Sequence, residues 1–174
     1  MDFQMLSAAR YSLRKFSPAP VEAEKLALIL ESGRNAPTAH NNQPQRILVL
    51  NTAESMEKLR TCTKCHFGAP TAMLICHNPE ESWKRPYDGA LSAPVDAAIV
   101  ATHMMLAAHD IGVGCCWVMH FDSMKMRETF HIPENTTPTA LLVMGYPAED
   151  AKPLPLHTQF RPMEEMVFYG DFGG

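Results

Sequence analysis

No excess of basic residues runs through this chain of 174 residues. Its formal net charge is −4, so it has no overall positive field to hold nucleic acid or an anionic membrane surface. No apolar run approaches the length needed to cross a bilayer. The opening residues Met1-Asp2-Phe3-Gln4-Met5-Leu6 lack the basic stretch and apolar core of a secretory signal. An even cysteine count is missing as well: Cys62, Cys65, Cys76, Cys115 and Cys116 cannot all pair within the chain. With 12 methionines beside unpaired thiols, a reducing, cytoplasmic setting is the expectation. There is no internal repeat, low-complexity tract or linker, so residues 1–174 read as one domain with room for a proper hydrophobic core.

What is present is ordinary globular composition, 46% hydrophobic and 20% charged. A short amphipathic helix is expected from Asp2 to Arg10, broken by Ser17-Pro18-Ala19-Pro20. A second helix starts near Val21, with Glu22 and Glu24 in its first turn and Gly33 ending it. Arg46–Leu50 reads as a strand, Ala53–Arg60 as a helix and Ala72–Cys76 as a second strand. Pro94–Ile111 is the longest helix, stopped by Gly112. It is apolar on nearly every face (Ile99, Val100, Met104, Met105, Leu106), which predicts a buried central helix. Strand Val113–Met119, helix Ser123–Phe130 and strand Thr139–Tyr146 follow. The tail from Pro153 to Gly174 is too rich in proline and polar residues for a core. Its Met166, Val167, Phe168 and Tyr169 nevertheless need burial, which an arm packed on a second subunit would provide.

Two segments carry chemistry. In Arg10-Tyr11-Ser12-Leu13-Arg14-Lys15-Phe16, Arg10, Ser12 and Arg14 fall at alternate positions and share one side of an extended chain. Two guanidinium groups and a hydroxyl suit a phosphate monoester, although charge runs are also commonly solvated surface. The loop Ala36-Pro37-Thr38-Ala39-His40-Asn41-Asn42-Gln43-Pro44 offers small residues for close approach and amides that both donate and accept. It suits a flat heteroaromatic ring, or it is a polar loop closing a helix.

Cys62-Thr63-Lys64-Cys65-His66 spells a pattern used for covalent haem attachment, and also half of a zinc site or a redox pair. The export signal, the second cysteine pair and the strand-to-helix setting that these readings need are each missing. A loop shaping a substrate pocket is the better reading. Trp83-Lys84-Arg85-Pro86-Tyr87 is an insertion, either an exposed loop or a binding element. Cys115-Cys116 read as small core fillers.

Together Arg10 to Phe16 (Arg-x-Ser-x-Arg-x-Phe) and Pro37 to Pro44 (Pro-Thr-Ala-x-Asn-x-Gln-Pro) resemble the FMN-dependent nitroreductase family. The likeness continues in the long helix, in Gly112-Val113-Gly114-Cys115-Cys116-Trp117-Val118, in Leu141–Pro147 and in Arg161–Val167. Each motif alone is weak, but four in order cover most of the chain. The resemblance implies an α+β nitroreductase-like fold. Its features are a central mixed, mostly antiparallel sheet flanked by helices, a long buried helix and a C-terminal arm exchanged in a homodimer. It implies FMN as cofactor and NADH or NADPH as donor, with a nitroaromatic, quinone or similar small molecule as acceptor in ping-pong order. Alternatives are a specialised flavin enzyme with a non-nitro acceptor and a flavin-holding or sensing module with little turnover.

Residue by residue, the resemblance implies Arg10 and Ser12 at the phosphate and ribityl end, joined by Arg161 from the tail, with Tyr11 as a further cofactor contact. Arg14 is implied at the pyrimidine edge, where a fixed cation favours reduced flavin. Pro37, Thr38, Ala39, Asn41 and Gln43 would contact FMN, some of them from the second subunit. Trp117, Val118, Met119 and His120 would lie along the N5 side. Met119 and His120 depart from the acidic residue and glycine that several relatives carry there. A further basic residue of some relatives is unmatched; Cys65 stands near that place, with Lys64 adjacent. The flavin would carry the chemistry, so no catalytic side chain and no metal ligand is expected. The sequence has no Rossmann fingerprint that would choose between NADH and NADPH.

Overall fold

The computed structural model describes residues 2–172; Met1, Gly173 and Gly174, the ends of the expected domain and tail, lie outside the described residues. In chain order the elements are α1 (Phe3–Ala9), α2 (Ala23–Arg34), β1 (Gln45–Leu50), α3 (Ala53–Cys62), β2 (Thr71–His77), α4 (Ala93–Asp110), β3 (Gly114–Val118), α5 (Ser123–Phe130) and β4 (Thr137–Gly145). Caps set several boundaries. The Asp2 carboxylate accepts from Gln4 N–H, and the Asp122 carboxylate from Lys125 N–H. Thr52 and Ser55 form a reciprocal capping box at α3. Gly112, at φ 80°, takes the left-handed position that ends α4.

The four strands form one sheet in the order β1-β2-β4-β3, each neighbouring pair antiparallel. Its parallel component is a single bridge between Ser12 and Cys115. Side chains alternate with the pleat between two cores. Met73, Ile75, Leu142, Met144 and Cys115 face α2 and α4. Ala72, Leu74, Cys76, Leu141, Val143 and Cys116 face α3 and α5. Cys115 and Cys116 therefore point to opposite sides of the sheet, and all five cysteines are free thiols.

α4 is central. Ala93, Ala97, Val100, Ala101, Met104 and Ala108 are all buried against the sheet and α2. The opposite stripe is bare: Val95 is 61% exposed, and it shares a shallow depression with Phe3, Ile99 and Leu106. One reading needs correction. Gly33 does not end α2; it lies inside the helix, which runs on to Arg34 with Asn35 as its cap. A Cβ at Gly33 would stand 2.7 Å from Met104 Cγ, so its lack of side chain serves close helix packing rather than termination.

The C-terminal segment after Pro153 makes two short 3₁₀ turns, Pro155–Thr158 and Met163–Glu165. Its apolar side chains stay largely in solvent, including Phe160, Met166, Phe168 and Tyr169. No helix among the described residues is long and apolar enough to cross a membrane.

Candidate cofactor site

The basic segment is fastened to the sheet. Leaving α1, the chain turns extended at Arg10, and Leu13 N–H donates to the Cys115 carbonyl at 3.0 Å. Leu13 is buried, so its neighbours Ser12 and Arg14 turn outward. Arg10, Tyr11, Ser12 and Arg14 together line a cavity of about 290 Å³, closed from the tail by Leu154, Leu156, His157 and Phe160. The Tyr11 and His157 rings meet edge-on at 6.2 Å. The Arg10 guanidinium makes no hydrogen bond or ion pair among the described residues, whereas Arg14 donates to the Ser12 carbonyl and lies 5.9 Å above the Phe67 ring. Arg161 stands outside this lining, 78% exposed, with Glu165 at 3.9 Å. The tail residues closing the cavity had no signal in the sequence beyond their place in the arm.

The end of β3 lies beside this segment. Trp117 is half-buried on the α4 side, Val118 is buried, and Met119 and His120 are exposed. The Cys62–His66 stretch is drawn against it. The Thr63 hydroxyl donates to the His120 carbonyl, Asp122 N–H donates to the Cys62 carbonyl at 2.9 Å, and Cys65 Sγ lies 3.9 Å from His120 Nδ1. Between them opens a recess of about 590 Å³ lined by Arg60, Lys64, Met119, His120, Phe121 and Asp122, among others. Burial pushes the Cys115 thiol up to about 12 and the Cys76 thiol up to about 11, so neither is a nucleophile near neutral pH. Burial also raises Cys116, opposed by Arg14 and a hydrogen bond from Ser12. No group of three or more His, Cys, Asp or Glu among the described residues is placed to share a metal ion.

The second loop is built with unusual backbone. His40, Asn41 and Gln43 all have positive φ (52°, 56° and 51°), a sparsely populated region for residues other than glycine. Buried Asp96, at the start of α4, accepts from Ala39 N–H at 2.9 Å and from the Ser92 hydroxyl at 2.8 Å. The Thr38 hydroxyl accepts from Gln43 N–H, and the Asn41 side chain accepts from the Gln43 amide, both at 3.1 Å. His40 stacks on Trp83 at 5.5 Å, which ties the Trp83–Tyr87 insertion to this loop. Pro37 is exposed. Asp96 and Trp83 are thus supports of the loop, a role invisible before the chain was folded.

The two segments do not meet within the described chain. The loop feeds β1 at one edge of the sheet, while Ser12 is bridged to β3 at the other. Three strand spacings separate those edges, roughly 14 Å, and the cavity at Arg10 is lined by no residue of the loop.

The Nitroreductase family model matches residues 8–70 and 61–146, an interval that holds both segments and the end of β3. The chain belongs to the nitroreductase family. A nitroreductase family protein of Clostridium difficile 630 has the same fold at a TM-score of 0.92, with 37% identity over 98% of this chain and 99% of that one. A protein of Archaeoglobus fulgidus, named provisionally as an NADH dehydrogenase/NAD(P)H nitroreductase, is 29% identical over 160 residues, 88% of this chain and 90% of its own. An FMN-dependent nitroreductase of Clostridium difficile R20291 shares the fold at a TM-score of 0.79, with 24% identity over 98% of this chain and 100% of that one. Within the nitroreductase frame, the basic segment, the β3 end and the loop before β1 fall in the matched interval, and the tail with Arg161 falls beyond it.

Proposed function

We propose that this nitroreductase family member is an FMN-dependent oxidoreductase that takes hydride from NADH or NADPH and reduces a nitroaromatic, quinone or similar acceptor. The observation that carries the reading is the Arg10 cavity. It offers the Arg10 guanidinium, which has no partner among the described residues, the Ser12 hydroxyl and a second guanidinium at Arg14, a donor set matched to a phosphate monoester. At about 290 Å³ it suits the phosphate and ribityl end of FMN rather than the whole molecule. The rest of the site is then the Pro37–Gln43 loop of a second subunit, which fits the separation of the two segments on opposite sheet edges.

In this reading Arg10, Tyr11 and Ser12 hold the phosphate end, and Arg161 of the arm adds a further cation. Arg14 keeps positive charge at the pyrimidine edge. Pro37, Thr38, Ala39, Asn41 and Gln43 contact the ring system across the dimer, and Trp117, Val118, Met119 and His120 lie along its N5 side. Bound FMN supplies a two-electron relay between donor and acceptor, which use the site in turn. The chain's part is to bind, orient and exclude water, with no protein nucleophile.

The homodimer has three supports. α4 has a bare apolar stripe around Val95, β1 is an open sheet edge, and the tail exposes Met166, Val167, Phe168 and Tyr169. Apolar surface and unpaired strand edges of this kind invite a partner. Residues 1–174 act as one domain in this account, and five free thiols suit the reducing cytoplasm.

The test is anaerobic spectroscopy of purified protein loaded with FMN. NADH or NADPH should bleach the flavin absorbance, and a nitroarene or quinone should restore it. A flavin bleached by neither nicotinamide would refute the reductase reading.

A further inference from the structure

The imidazole of His120 is given no chemical role in the reading above, which places the residue along the N5 side of the ring system. It is exposed at the end of β3 and lines the recess of about 590 Å³. Thr63, 5% exposed, fixes it from behind. Its hydroxyl donates to the His120 carbonyl and accepts from Cys65 N–H at 3.0 Å. One buried side chain therefore sets both residues, leaving Cys65 Sγ 3.9 Å from His120 Nδ1. The other four cysteines are buried; Cys65 alone is partly exposed. With Nδ1 facing the thiol, Nε2 is the ring nitrogen left for a molecule in the recess.

The charged groups around the pair come from each neighbouring element. Arg60 of α3 is paired with Glu57, Lys64 lies on the intervening loop, and the Asp122 carboxylate is engaged by Lys125 N–H. Arg14 lies over Phe67 and acts electrostatically on Cys116, as Cys65 does. The surroundings favour an acceptor that builds negative charge on oxygen during reduction.

Two-electron reduction of a quinone, nitro group or activated alkene requires one proton besides the hydride. We propose that His120 gives that proton to the acceptor, with Cys65 as the positioning residue that holds its tautomer and relays the proton; the proposal rests on the oxidoreductase reading above. The acceptor gains the hydride that NAD(P)H supplies by way of the cofactor, forming a C–H, N–H or O–H bond, and its displaced π pair moves to oxygen. The His120 Nε2–H bond breaks as that oxygen forms O–H, while the Cys65 S–H proton passes to Nδ1. Solvent then returns a proton to Nε2, and Nδ1 hands its proton back to the thiolate. The acceptor ends with one hydride and one proton, and the pair returns to its starting state.

The test compares a quinone, which needs the proton, with ferricyanide, which takes electrons only. His120→Gln should lower the quinone-to-ferricyanide ratio of kcat/KM by about a hundredfold, the usual scale of a positioned acid. Cys65→Ala should lower it less, and flavin content is measured for every variant. A readout independent of turnover is the ¹⁵N spectrum of the His120 ring. Wild type should show the Nε2–H tautomer, and Cys65→Ala a mixture. A wild type that turns over both acceptors, with an unchanged ratio in His120→Gln or an unchanged tautomer in Cys65→Ala, overturns this proposal alone. A wild type that passes electrons to neither acceptor overturns the oxidoreductase reading beneath it.

Discussion

Ser12 is bridged in parallel to Cys115, the one parallel pairing among the described residues of an otherwise antiparallel sheet. That bridge, with the Leu13 N–H bond beside it, anchors a loop-like basic segment to a rigid strand. A hydroxyl and two guanidinium groups are thereby held at one sheet edge with little ordering left to do when an anion arrives.

Arg10 is the guanidinium of this cavity without a partner among the described residues, so its loss should be read mainly in the ligand. Hydrogen bonds to charged groups contribute about 1.5–3 kcal/mol, roughly a tenfold to hundredfold change in Kd. Arg10→Ala should weaken FMN by that factor with little change in melting temperature. Flavin fluorescence titration of the apoprotein checks it.

Asp96 links the buried helix to the Ala36–Pro44 loop. Asp96→Ala strips the acceptor from Ala39 N–H and the Ser92 hydroxyl. The cost should be roughly 1–3 kcal/mol for each buried donor left unpaired. Hydrogen exchange should quicken across residues 38–43, where the positive φ values of His40, Asn41 and Gln43 need external support. Unchanged exchange there would mean the loop holds itself.

Met166 and Phe168 are 51% and 50% exposed within one subunit. Met166→Ser with Phe168→Ser should therefore leave subunit folding intact while weakening the dimer. Light scattering should show a fall toward monomer mass, accompanied by loss of flavin. A variant that stays dimeric would remove the arm from the interface.

His77 lies in β2, hydrogen-bonded to Thr139 at 2.7 Å, and burial lowers its pKa from 6.5. A lowered histidine pKa means that the unfolded chain binds the proton more readily. Stability is then full above 6.5, declines as pH falls through the lowered folded value, and levels below it. His66 and His109, lowered chiefly by burial, act in the same direction. Denaturant melts between pH 7.5 and 5 (roughly one unit above and more than one below the unperturbed value) should show this decline, with a smaller slope in His77→Gln.

Much of the fold was legible because its signals are local. The length and all-round apolar character of α4 with Gly112 behind it, and the short apolar runs of β2 and β4, indicate element type without tertiary knowledge. Gly33 misled for a physical reason: a glycine near a helix end looks the same whether it stops the helix or admits Met104. The alternation of Arg10, Ser12 and Arg14 was legible as three polar side chains on one side of an extended segment, which suits an anion receptor or a solvated face alike. Its companions His157 and Phe160 were not, since they reach it from far along the chain. Nor could spacing show Thr63 gripping the His120 carbonyl, because no sequence rule pairs a post-helix threonine with a distant strand end.

The central claim, a flavin site completed by two subunits, has a direct test in hybrid dimers. One parent carries Arg10→Glu with Ser12→Ala, and the other carries Thr38→Trp with Asn41→Ala. Each parent alone should bind little FMN. When subunits are exchanged, every hybrid dimer has one site with both defects and one with neither, as two-fold symmetry requires. Flavin content of the isolated hybrid should recover to about half that of wild type. A hybrid that binds no more FMN than its parents would contradict the shared site.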